Sequence, residues 1–184
     1  MAARRILQLG DSLLRQTSAR VANHQDALPV LADLRDTLHA FQHAHGFGRG
    51  ISAVQVGEPI RVIYIEFEGV AYSLVNPEFT HQSEEKFALW DDCFSFPDLM
   101  VRLERSESVI LRYLDETGAE QKIKARDALS ELIQHEMDHL DGILALDRAL
   151  DRESFMTRRE WLRQRSFTTS LKAVESDRDG TQVK

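Results

Sequence analysis

Residues 135–139 read His-Glu-Met-Asp-His, inside an apolar pattern at helical spacing formed by Leu129, Leu132, Ile133 and Leu140. On a helix, positions four apart lie one turn apart on the same face. His135 and His139 can therefore share one metal ion, and Glu136 beside the first can act as base toward a water at that ion. With seven histidines in 184 residues, random placement yields about 0.02 such patterns, so chance is a poor explanation. A chain built on this motif has to bury the helix and bring a further ligand to it from elsewhere, while leaving one coordination position open.

The candidates for that ligand are few. Cys93 is the only cysteine and lies in a loop-like stretch, residues 90–97. A single cysteine forms no internal disulfide, which fits a reducing, cytoplasmic setting. Glu160, about twenty residues past His139, is the rival that many metallopeptidases would use, and Asp138, Asp141, Asp147 and Asp151 follow closely. His39 and His43 are also four apart, but they lack an intervening glutamate and a nearby soft ligand, and read as a solvated helix face.

The rest of the chain reads as α+β, with antiparallel strands around a central motif helix and a further helix at the C-terminal end. A helix is expected over residues 26–45, with Asp26 as N-cap and Pro29 in the first turn. Gly46, Gly48 and Gly50 then mark a loop. Residues 61–67 read as a strand that turns at Glu68-Gly69 into residues 70–75, with Asn76-Pro77 ending the run. A second hairpin is expected at residues 108–114 and 119–125. The motif helix should start at an Asp127 N-cap and stop at Gly142, and another helix should run over residues 151–170. The formal charge is −7. That argues against a surface devoted to nucleic acid and against specific DNA binding. No apolar run is long enough to span a bilayer, and the first ten residues lack a secretory h-region.

Three segments together resemble the peptide deformylase family. His135 to Leu140 match its H-E-x-D-H-L motif in full. Asp91-Asp92-Cys93-Phe94-Ser95 align with E-G-C-L-S, and Gly48 to Gln55 align with G-x-G-x-A-A-x-Q. The resemblance covers roughly residues 4–150; residues 1–150 form the expected catalytic domain, and residues 151–184 add a helix and a polar tail. It implies that Cys93, His135 and His139 hold one divalent ion, Fe(II) in the cell, with Zn(II), Ni(II) or Co(II) as alternatives after purification. It implies Glu136 as base. It implies Gln55 and the backbone N–H of Phe94 as donors to the oxyanion formed at the formyl carbon. The substrate would be the formyl-methionine end of a nascent peptide, lying extended along Gly48, Arg49 and Gly50.

The departures fall around Cys93. Asp91 replaces a glutamate whose partner corresponds to Arg105, and Asp92 replaces a glycine, placing a negative charge by the groove and, if φ is positive, some strain. Phe94 replaces leucine and Ser52 replaces alanine. Leu132 and Ala128 share the face of His135 and suit a methionine side chain, with Glu131 expected at the solvated rim. Six basic and two acidic residues fall within 152–172, which reads either as a solvated helix face or as a docking surface for ribosomal RNA. Two other functions remain at this point. One is a metallopeptidase or amidohydrolase ligated by Glu160. The other is a catalytically weak, metal-containing binder of peptide termini.

Overall fold

The structure is a computed structural model that describes residues 3–165. Helix α1 (Leu28–His45) is followed by strands β1 (Gly50–Ser52), β2 (Val62–Phe67), β3 (Val70–Gln82), β4 (Lys86–Asp92), β5 (Leu99–Ser106), β6 (Ser108–Leu114) and β7 (Glu120–Arg126). Then come α2 (Asp127–Leu140), β8 (Phe155–Thr157) and a last helix, α3, over residues 158–165. The strands form two antiparallel sheets, one in the order β1-β2-β3-β6-β7 and the other β4-β5-β8. This is the expected α+β class.

Helix α2 is buried along almost its whole length. Leu132, Ile133, Met137 and Leu140 pack with Ile63, Ile65, Leu74, Leu111 and Ile123 of the larger sheet. Helix α1 closes another core with Leu31, Leu34, Leu38 and Phe41 against Val62, Tyr64 and Val75. A third cluster gathers Cys93, Val101 and Leu103 with Leu14 and Leu144. Burying a helix from both sheets is what fixes the motif side chains in place.

Both expected hairpins form. Glu68 and Gly69 take φ of 50° and 80° between β2 and β3, the left-handed pair that a tight two-residue turn requires. Other expectations are corrected. Asn76-Pro77 does not end a strand: β3 runs through it with a register shift between Val75 and Glu78. Asn76 sits at φ 51°, and its side chain exchanges 2.8 Å bonds with both the N–H and the C=O of Val21. That local bulge accommodates a proline without an N–H inside the sheet. Asp26 caps no helix. A 3₁₀ turn, His24–Ala27, leads into α1, and Asn23 caps that turn. Asp127 is the first residue of α2 rather than its cap; at φ 50° it donates its N–H to Glu107 O. The stretch around Cys93 is less loop-like than expected, because residues up to Asp92 pair with β5, Asp91 opposite Val101 and Asp92 opposite Met100. The helix expected from residue 151 starts at 158, after β8 pairs with β5. Its expected end at 170 lies outside the described residues.

Candidate active site

Cys93 follows the end of β4, and His135 and His139 lie on α2. One ligand atom from each falls within 4.8 Å of the other two, and all three residues are buried. Cys93 Sγ is 3.2 Å from His139 Nε2. Around a tetrahedral ion with bonds of ~2.0–2.3 Å, ligand atoms stand roughly 3.3–3.8 Å apart, so this donor set fits a divalent metal. The imidazole of His135 is oriented by its far side: Asp91 Oδ2 lies 3.0 Å from Nδ1, which leaves Nε2 as the nitrogen available to a metal. The same oxygen accepts from Arg105 Nη2 at 3.1 Å. Arg105 also bonds Asp138, which in turn holds Arg148.

Burial dominates the ionisation of this cluster. It works against a charged Asp91, but His135 and Arg105 outweigh it and hold that carboxyl at about 2. Burial also opposes a charged His135, yet Asp91, with Cys93, raises it well above the usual histidine value. Burial and the neighbouring His135 push His139 well below it. Glu136 is pushed up to about 7 by burial, with His135 and the Ser52 hydroxyl pulling the other way.

Glu136 is gripped from two sides. Ser52 Oγ lies 2.6 Å from Glu136 Oε2 and 2.9 Å from its backbone oxygen. On the other side, a Cβ at Gly50 would fall 2.8 Å from Glu136 Oε1. Gln55 Oε1 accepts the Ser52 N–H at 2.9 Å, which turns its amide nitrogen toward Ser95 Oγ (3.3 Å) and Cys93 Sγ (3.6 Å).

A cavity of about 320 Å³ joins these groups. Gln55, Cys93, His135 and Glu136 line it, and so do Gly48, Arg49, Gly50, Asp91, Asp92, Phe94 and Leu132. Two expectations fail there. Ala128 is exposed and does not line the cavity. Glu131 is not at a solvated rim. It is buried, lines the cavity and accepts from Arg49 Nη2 at 2.8 Å. Asp92 carries no backbone strain, since it belongs to extended β4 and is absent from the positive-φ positions. Its carboxylate pairs with Arg158, whose guanidinium also lies 3.8 Å from the centre of the Phe47 ring. Phe94 stacks on Phe41 with ring centres 3.9 Å apart, and its ring occupies the space that a Cβ at Gly48 would need.

Residues 3–155 match the sequence model of the family described as polypeptide deformylase. The chain belongs to the polypeptide deformylase family. A peptide deformylase of Bartonella tribocorum is 36% identical over 154 residues, covering 80% of this chain and 84% of that protein. The crystal structure of a deformylase from Synechococcus elongatus, in complex with actinonin, superposes with a TM-score of 0.73 at 34% identity, over 80% of this chain and 79% of the other. A Legionella pneumophila deformylase gives 0.76 at 28% identity, over 94% and 98%. The fold and the hydrolase class of this chain are therefore those of the deformylases.

Of the third-ligand candidates, the structure brings Cys93 to the two histidines, whereas Glu160 is a half-exposed residue on α3 that binds Arg163 and Gln164. His39 pairs with Glu66 at 2.6 Å. Sequence reasoning missed the bond from Ser52 to Glu136, the link from Asp91 to His135, and the Arg158 contact. Only the Ser52 substitution carried a signal that could have raised it, because a hydroxyl replaces an alanine one residue from the buried core of that motif.

Proposed function

We propose that this chain hydrolyses the formamide at the N-terminus of formylated peptides, releasing formate and a free amine. The observation that carries the reading is a cavity lined by Cys93, His135, Glu136 and Gln55, with His139 grouped against Cys93 and His135. A divalent ion held by Cys93, His135 and His139 would polarise the formyl oxygen and acidify a water; Fe(II) is the ion we assign in the cell.

The remaining roles belong to the chain itself. Glu136 takes the proton of the attacking water and hands it to the leaving amine. A carboxyl near neutrality, at about 7, suits both halves of that transfer. Ser52 and the bare backbone at Gly50 aim that carboxyl. The Gln55 amide and the Phe94 backbone N–H donate to the oxyanion that develops at the formyl carbon. The peptide lies extended beside Gly48 and Gly50, where Phe94 and Glu136 leave no room for side chains. Asp91 and Arg105 hold His135 in the tautomer that ligates through Nε2.

In this reading residues 1–150 carry the chemistry, and residues 151–184 add the rim residue Arg158, a helix and a tail. The enzyme works in the cytoplasm on nascent chains, with the basic segment 152–172 as a ribosome-facing surface; residues 166–172 of it lie outside the described residues. Among the described residues, no helix is long and apolar enough to cross a membrane. The test is formate release from formyl-Met-Ala-Ser by Fe(II)-loaded and Zn(II)-loaded protein. Turnover that rises with metal loading supports the reading. Metal-loaded protein that releases no more formate than the Glu136→Gln variant refutes it.

A further inference from the structure

The cavity that holds the reacting groups also holds an ion pair that the proposed chemistry does not use. Arg49 Nη2 lies 2.8 Å from Glu131 Oε2, with the carboxylate side chain 6% exposed and the guanidinium 41% exposed. Glu131 stands four residues before His135 on α2, one turn (about 5.4 Å) along the wall from the metal ligands. That is about the reach of a methionine-length side chain whose formyl group sits at the reaction centre. Leu132 is the apolar residue of α2 beside it; Ala128, one turn further, is exposed and offers no wall.

We propose that the Arg49–Glu131 pair sets the specificity of this cavity, favouring formyl peptides whose first side chain ends in a neutral hydrogen-bonding group, a carboxamide above all, over methionine. The inference rests on the deformylase reading and narrows its substrate class.

A thioether or methyl tip packed against the pair strips water from a guanidinium and a carboxylate and returns no hydrogen bond. Glu131 Oε1 accepts no bond from the described residues, and Arg49 makes no bond there other than the one to Glu131 among its side-chain contacts. A carboxamide supplies its N–H as a donor to Glu131 and its oxygen as an acceptor to Arg49. A charged tip meets a like charge in the pair. A cation meets Arg49. An anion meets Glu131, with Asp91 and Asp92 also lining the cavity. A site built to hydrogen-bond a substrate group rejects the analogue that lacks it far more strongly than an apolar pocket rejects a missing methylene.

The test compares formyl-Gln-Ala-Ser, formyl-Met-Ala-Ser and formyl-norleucine-Ala-Ser on the metal-loaded full chain, by formate release, in wild type and in the R49L/E131L variant. Removing both partners avoids leaving one charge buried alone. The expected result is a wild-type kcat/KM for the glutamine peptide at least ~10-fold above that for norleucine, with the order reversed in the double variant. Should the double variant fail to fold, Glu131→Gln keeps the size of the side chain and loses its charge; the glutamine-to-norleucine ratio should then fall by about 3-fold or more. Equilibrium binding of the deformylated products Gln-Ala-Ser and Met-Ala-Ser gives a second readout independent of turnover, and the glutamine product should bind more tightly. A wild type that prefers methionine and norleucine, or a ratio unchanged by both variants, overturns this inference while leaving the deformylase reading intact. Absence of formate release from all three peptides overturns both.

Discussion

Replacing Asp91 by asparagine probes how the protein prepares His135 for a metal. Both contacts of the carboxylate run to one atom: Oδ2 accepts from His135 Nδ1 at 3.0 Å and from Arg105 Nη2 at 3.1 Å. Asparagine has the same size and can place its carbonyl oxygen at that point, so the two bonds persist and only the charge is lost. A bond to a charged group contributes about 1.5–3 kcal/mol and a neutral one about 0.5–1.5 kcal/mol, so each contact weakens by roughly 1–1.5 kcal/mol. Arg105 keeps Asp138 as a counter-charge, so it is not stranded. The His135 share appears as weaker metal binding, about 5–13-fold, near the low end of the range expected when the outer partner of a ligating histidine is impaired. The assay is zinc affinity by competition with a chelator, with circular dichroism to show that the variant is folded. Asp91→Glu is the control; it keeps the charge and should stay within about 3-fold of wild type, the added methylene being an overpacking cost in a buried site. Zinc affinity of Asp91→Asn within about 3-fold of wild type would refute the idea that the carboxylate orients and charges His135.

Glu136→Gln should retain zinc while turnover drops by about 10²–10⁴-fold, read by metal analysis and formate release side by side. Cys93→Ser exchanges a soft ligand for a poor one, so the chain should lose zinc to a chelator at concentrations at least ~100-fold lower, and a chain that keeps it would have another third ligand. Gly50→Ala drives a methyl to within 2.8 Å of Glu136 Oε1, so kcat should fall about 10-fold or more while zinc stays bound, since the carboxyl has to swing away from its Ser52 bond. Asp115 accepts from Thr117, Gln121 and Ala119 in the β6–β7 turn, and these bonds hold it at about 2. Its folded value lies below its unfolded one, so its contribution is full above about pH 4 and disappears as pH falls toward 2. Thermal melts of Asp115→Asn should therefore converge with wild type at pH 2 and differ at pH 7.

The motif helix and the two hairpins flanked by Gly69 and Gly118 could be read from the chain, because each depends on local spacing, and the gathering of Cys93, His135 and His139 was legible through the family resemblance. Helical period places two imidazoles on one face whatever lies around them. Turn residues announce hairpins before any sheet exists to receive them. The tertiary structure decided what side chains do when distant segments meet. Nothing in the spacing of Asn76-Pro77 shows that Val21, more than fifty residues earlier, satisfies the bulge and lets β3 continue. The aspartate at 92 looked like strain and a free negative charge; extended β4 removes the strain, and Arg158 from beyond β8 neutralises the charge. Glu131 looked solvated because a carboxylate on a helix surface usually is, and only the arrival of Arg49 from the glycine loop makes its burial affordable. Burial of charge is set by the partner, and the partner comes from another part of the chain, so sequence period names the helix face but not the chemistry of the cavity it lines.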